Sequence, residues 1–284
     1  MIKQLRKLLW LIAALFAVDG YAHDVEIDGI YYNLDEENMT ASVTFRGEDS
    51  GSYKNEYTGD VVIPSSITCY GKAYSVTSIE NSAFWHCEGL TSITMPEGVT
   101  SIGAGAFDDC RSLTSINIPE GVTSIDSFTF YNCRSLTSVT IPEKVTSIGS
   151  YAFYCCHGLT SVTIPLSVTS IGEYAFRKCR GLTEVYSFNS VPPVVARIGC
   201  FFALHEDVVL YVPKGSVEAY RGADGWNEFV DIREFDTTDI SSTEAVCGCE
   251  DVYYGLSGRR HMKPQRGVNI IRYSDGSTRK VLVK

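Results

Sequence analysis

Ten cysteines and five histidines have the widest chemical reach in this 284-residue chain, and their spacing decides what they can do. Zinc needs converging ligands, usually paired C-x-x-C or Cys/His clusters, and the sequence has no C-x-x-C pair. The histidines stand scattered at 23, 86, 157, 205 and 261 without an H-E-x-x-H motif. Neither G-x-S-x-G nor a phosphate-binding or dinucleotide-binding glycine loop occurs. The expectation is no catalytic residue, no cofactor and no bound metal.

Five cysteines keep one interval instead. Cys87, Cys110, Cys133, Cys156 and Cys179 recur every 23 residues, in step with Leu90, Leu113, Leu136, Leu159 and Leu182. Phe84, Phe107, Phe130, Phe153 and Phe176 keep the same frame, as do Ile79, Ile102, Ile125, Ile148 and Ile171. Two chemistries are open to such a ladder. Adjacent thiols oxidise or bind metal, or each acts as a small buried hydrophobe. Identical spacing favours the second, because neighbouring side chains then point the same way, whereas a disulfide needs Cβ atoms converging to about 3.5–4.5 Å. Cys69, Cys155, Cys200, Cys247 and Cys249 lie off the ladder and are free to pair, Cys247 and Cys249 being the expected exposed thiols.

The elements that position these residues follow from one unit, Leu90 to Ser112. Alternation across Ile93 and Met95 makes a short strand with one buried face. Pro96 and Gly98 end it, since proline has no N–H for a sheet ladder and glycine opens a turn. Val99 to Ile102 is a second strand, and Ala106 to Cys110 has room for one helical turn. A single unit cannot bury its apolar side, so units must stack like on like. The fold class expected is a leucine-rich-repeat-like solenoid, mainly short parallel β-strands in two narrow sheets with single helical turns, capped at both ends.

Domain limits follow. Lys3, Arg6 and Lys7 before the apolar run Leu8 to Val18, then Gly20 and Ala22, make residues 1–22 a signal peptide. An apolar run of about eleven residues is too short to span a bilayer, so no transmembrane segment is expected in the mature chain. Residues 23–79 form an N-terminal β cap, 80–182 the repeats and 183–235 a C-terminal cap. That second cap holds a strand at Val208 to Val212 and a short helix at Ser216 to Arg221, with Trp226 and Phe229 over the last rung. A polar linker, 236–245, leads to a small β module at 246–284 with a hairpin turn at Asp275–Gly276.

The combination of L-T-S-[IV]-x-I-P, V-T-S-I-G and A-F-x-x-C, closed by LYVPKGSVEAY, resembles the BspA-like bacterial leucine-rich-repeat family over roughly residues 24–235. That resemblance implies an extracellular or surface location and, for some members, adhesion to matrix proteins or other cells. The segments VYYGLSGRR and GVNIIRYSDGSTRKVLVK resemble the C-terminal sorting module of type IX secretion substrates, which implies a Gram-negative source and a tail removed on export. The location expected is secreted or cell surface, with the periplasm as the alternative.

A net charge of −10 disfavours nucleic acid, which needs a concentrated positive field. A solenoid turns each repeat position into a line of side chains. The residue after the ladder cysteine gives Glu88, Arg111, Arg134, His157 and Arg180, a mostly basic column; Glu97, Glu120 and Glu143 give an acidic one. Beside the ladder the unit tips vary: Trp85 and His86, Asp108 and Asp109, Tyr131 and Asn132, Tyr154, Arg177 and Lys178. Interface centres favour aromatics and arginine. The candidate partner-binding surface is therefore Trp85, His86, Arg111, Tyr131, Arg134, Tyr154, His157, Arg177, Lys178 and Arg180. The function expected is binding or adhesion to a protein or glycan partner, with a self-associating envelope component as the alternative.

Overall fold

A computed structural model describes residues 23–47, 54–196, 199–204 and 207–235, together with the backbone of four later strands. Among these residues the chain is a β-solenoid of about seven turns with almost no helix. It starts in an antiparallel meander, β1 (Val25–Ile27), β2 (Ile30–Asp35) and β3 (Thr40–Thr44). After β4 (Gly59–Val62), the hairpin β5 (Ser66–Cys69) and β6 (Lys72–Ile79) attaches through β6, which lies parallel to β3.

From there two parallel sheets grow by one strand per turn. The first takes β7 (Leu90–Thr94), while β8 (Ser101–Ile102) extends from β6 on the second. The first continues with β9 (Ser115–Asn117) and the second with β10 (Ser124–Ile125); β11 (Ser138–Thr140) and β12 (Ser147–Ile148) add the next rung to each. Then come β13 (Ser161–Ile164), β14 (Ser170–Ile171), β15 (Glu184–Ser187) and β16 (Val194–Val195). Register is like on like: Ile93 sits opposite Ile116, and Ile125 opposite Ile148. Between the strands Val99 N–H donates to the Pro96 carbonyl at 3.1 Å, and Val122, Val145 and Val168 repeat that turn.

The third side differs from the helical turn expected at Ala106 to Cys110. Alternate N–H groups close tight turns on the carbonyl three residues back: Ala106 to Gly103 at 3.2 Å, Asp108 to Gly105 at 3.0 Å, Cys110 to Phe107 at 3.2 Å. The groups between them reach forward to the next rung, Phe107 to Thr129 at 2.9 Å and Asp109 to Tyr131 at 2.8 Å. Each turn must bend back on itself to do this, so two residues per rung stand at positive φ. One column is Ser82, Gly105, Phe128, Tyr151 and Tyr174; the other is His86, Asp109, Asn132, Cys155 and Lys178. The tips are thus a third hydrogen-bonded ladder.

Inside, Phe84, Phe107, Phe130, Phe153, Phe176 and Phe201 stack with ring centroids 5.1–5.5 Å apart. Offset or stacked aromatic pairs add about 0.5–1.5 kcal/mol each beyond burial. The ladder cysteines are all free and buried. From Cys110 onward each thiol donates to the phenylalanine carbonyl one rung back, Cys110 to Phe84 and Cys133 to Phe107 at 3.1 Å. Burial pushes the Cys87 thiol up to about 12 and Cys110 well above the ordinary range, so thiolate, the reactive and metal-binding form, is suppressed. Cys69, Cys155 and Cys200 are unpaired too; Cys247 and Cys249 lie outside the described residues.

The stack runs past the expected repeat limits. Val191 to Pro193 lengthens the step, yet β16 still pairs with β14 and Phe201 still stacks on Phe176. Strands β17 (Val209–Pro213) and β18 (Asp231–Phe235) extend the first sheet, and α1 (Val217–Arg221) lies between them. Trp226 and Phe229 close the phenylalanine column with centroids 5.0 and 4.8 Å from Phe201. The Trp226 indole N–H donates to the Pro193 carbonyl at 2.8 Å. At the other end Tyr57 covers Phe84 at 4.6 Å. Beyond residue 235, β19 (Val252–Gly255), β20 (Arg260–His261), β21 (Gly267–Arg272) and β22 (Thr278–Val283) pair as an antiparallel sheet. The signal-peptide residues, the linker and Asp275–Gly276 lie outside the described residues.

Candidate functional site

The tip ladder gathers most of the candidate residues onto one side. At its N-terminal end the charges are consumed internally. Asp109, only 8% exposed, sits 3.2 Å from His86 Nε2 and 3.1 Å from Arg111 Nε, and accepts a hydrogen bond from Asn132. Arg111 also lies 3.3 Å from Glu88. Asn132 passes the network on by accepting from Arg134 Nε at 2.7 Å. Beside it, burial and then the negative charge of Asp109 push the Asp108 carboxyl up to about 7, against a hydrogen bond from the Trp85 side chain.

The middle of the face is aromatic. Tyr131 and Tyr154 stack with centroids 5.0 Å apart and planes 2° from parallel; Phe128 and Tyr151 do the same at 4.9 Å and 4°. The pairs meet at a tilt of about 50°, Phe128 to Tyr131 at 5.7 Å and Tyr151 to Tyr154 at 5.5 Å, and Tyr174 continues from Tyr151 at 5.2 Å. Because the stacking runs from rung to rung, ring faces look along the solenoid and ring edges look outward.

The C-terminal end is basic. Lys178 Nζ lies 5.3 Å over the Tyr154 ring, and the Arg177 guanidinium lies 4.7 Å over Tyr174 and 5.0 Å over Phe202. Cations over ring faces are held by the ring quadrupole. Arg180 is exposed. The His157 imidazole is held below its usual range by burial, then by Arg134, Arg180 and Lys178.

Of the ten candidate residues, Tyr131, Tyr154, Arg177 and Lys178 come together in one patch. His86, Arg111 and Arg134 are tied into the Asp109 network, Trp85 lies edge-on to His86 with ring centroids 4.0 Å apart, and His157 and Arg180 flank the patch. Phe128, Tyr151, Tyr174 and Phe202 belong to it and were not among the candidates; Phe128 and Phe202 are 40% and 54% exposed. The 23-residue spacing of Phe128, Tyr151 and Tyr174 is the signal that finds three of them. Phe128, Tyr151 and Tyr174 also stand at φ of 61°, 58° and 56°, a left-handed region where bulky residues are uncommon and strain of about 1–3 kcal/mol collects at functional sites.

Residues 77–194 match the BspA type leucine rich repeat region, in six copies. Over those residues the repeats are similar to that family's. A leucine-rich repeat protein from Bacteroides ovatus is 28% identical over 67% of this chain, with a TM-score of 0.52; the match covers 55% of that protein, little more than half its length. The leucine rich repeat protein of T. pallidum is 25% identical, covering 75% of this chain and 83% of its own, with a TM-score of 0.50. No curated protein matches. A repeat solenoid of this build offers a long surface in place of a deep pocket. Among the described residues no helix is long and apolar enough to cross a membrane, and no group of three or more His, Cys, Asp or Glu is placed to hold a metal ion.

Proposed function

We propose that this protein is a secreted or cell-surface adhesin that docks a protein partner on its tip face. The observation that carries the reading is the orientation of the tyrosines. Sugars stack their C–H faces on ring faces, but here the faces of Tyr131 and Tyr154 are turned to each other and to Lys178. What points outward is ring edge, with basic side chains beside it, the composition that protein interface centres favour. A protein is therefore the favoured partner over a glycan. Export through residues 1–22 and sorting through a type IX-like module at 246–284 complete the reading, and the sequence features of both segments support them.

Protein and glycan arrays probed with the full chain test this. The expected result is saturable protein binding that Tyr131→Ser with Tyr154→Ser abolishes. Glycan binding without protein binding, or protein binding that ignores both tyrosines, overturns it.

A further inference from the structure

One column of the tip face has an order that docking in general does not require. Just outside the core phenylalanines, rung by rung, stand Trp85, Asp108, Tyr131, Tyr154, Arg177 and Phe202. Reversed end for end, this column sets aromatic against aromatic and acid against base.

We propose that the tip face is the interface of a two-fold dimer in which two copies of this chain lie antiparallel, the axis crossing between Tyr131 and Tyr154. The inference rests on the protein-docking reading and names the partner, a second copy. In such an isologous contact, residue i meets residue j while j meets i. Asp108 then faces Arg177 of the second copy, twice; Tyr131 faces Tyr154, and Trp85 faces Phe202. The column keeps its register under reversal because rung spacing is even, 5.1–5.5 Å through the phenylalanine stack.

Three observations select this arrangement. First, a parallel pair would set Asp108 against Asp108 and Arg177 against Arg177, and like charges across an interface are costly. Second, the neighbouring column reads Gly105, Phe128, Tyr151 and Tyr174. Reversed, it puts Phe128 against Tyr151 and Tyr174 opposite Gly105, a position with no side chain of its own. Third, neither Asp108 nor Arg177 is in an ion pair among the described residues. Among the described residues Arg177 has no carboxylate partner and its buried Nε has no hydrogen-bond acceptor; the guanidinium is fixed over Tyr174 and Phe202. Asp108, which accepts a hydrogen bond from the Trp85 side chain, has no cation beside it among the described residues, in contrast to Asp109. The flanking basic column brings Arg180 against Arg111, but Arg111 is already closed on Asp109 and Glu88. An antiparallel pair sends its two C-terminal ends in opposite directions, the geometry of a bridge between two surfaces.

Sedimentation of the full chain tests the proposal. The expected result is a monomer–dimer equilibrium in the micromolar range, with Arg177→Asp and Asp108→Arg each weakening it about 100-fold because each breaks two symmetric pairs. Mixing the two single variants, or combining both changes in one chain, restores it. Thermal melts confirm that each variant folds; if Asp108→Arg does not, Asp108→Asn replaces it and weakens association without reversal. A chain that stays monomeric to about 100 µM, a concentration that detects weak Kd values, overturns the dimer, as does an Arg177→Asp variant that associates unchanged. A monomer that still captures an array protein through Tyr131 and Tyr154 loses only the dimer. A monomer that captures none loses the docking reading as well.

Discussion

Phe130 and Tyr131 are neighbours in the chain, yet they stand in columns under opposite rules. Along the Phe130 column every rung carries phenylalanine, from Phe84 to Phe201, because each ring is both wall and floor for the next. Along the Tyr131 column no such demand exists, and tryptophan, aspartate, tyrosine, arginine and phenylalanine occupy equivalent places. The backbone is the same for both. The difference separates what packing requires from what the surface is free to carry, and it is why one column reports the fold while the other varies.

The sharpest contrast is in thiol chemistry. Cys133 sits in the core ladder, fully buried, and Cys155 is a half-buried tip residue. Alkylation of the native chain followed by peptide mapping should label Cys155 at least about a thousand-fold faster than Cys133, whose exposure needs global opening. Equal rates would erase the distinction between the columns. Next in size, Phe130→Ala should cost about 3–5 kcal/mol of stability, while Tyr131→Ala, one residue on, should cost less than about 1 kcal/mol and remove binding instead. Denaturant unfolding beside a binding assay separates the two.

Asp108 gives a smaller, pH-dependent test. Its carboxyl is raised to about 7 in the folded chain, against about 3.9 unfolded. A raised carboxyl holds its proton more tightly when folded, so its contribution is full below the unfolded value and is lost as pH rises from about 4 to 7. Asp108→Asn should therefore leave stability unchanged at pH 4 and raise it at pH 8, by about 1–2 kcal/mol once solvent screening is allowed for. Smallest of all, Tyr151→Gly should change stability by under about 1 kcal/mol, since relief of its left-handed φ offsets the lost ring contacts. A large loss there would place Tyr151 with the core columns.

These rules also explain what was legible in the sequence. The core columns repeat one residue type because packing repeats, so Leu90, Ile93, Phe107 and Cys110 display the period, the strands and the stacking without a structure. The ladder cysteines read correctly as core for the same reason. The tip ladder did not read as a ladder. Its defining features are backbone hydrogen bonds to the next rung and two left-handed residues per turn, and His86, Asp109, Asn132, Cys155 and Lys178 share that conformation without sharing chemistry. A single helical turn was the natural expectation from Ala106 to Cys110 by length alone. The aromatic patch was half visible: Tyr131 and Tyr154 stand beside the phenylalanines, whereas Phe128, Tyr151 and Tyr174 belong to a column that begins with Ser82 and Gly105. Nothing in residue type alone shows that Asp109 is buried and tied to His86, Arg111 and Asn132.

The division between core and tip columns is tested most directly by evening out the tips. A variant with Tyr131, Tyr151, Tyr154 and Arg177 all changed to serine should melt within about 5 °C of the parent and lose both its association and its protein binding. A variant that melts close to the parent and binds as before would contradict the account.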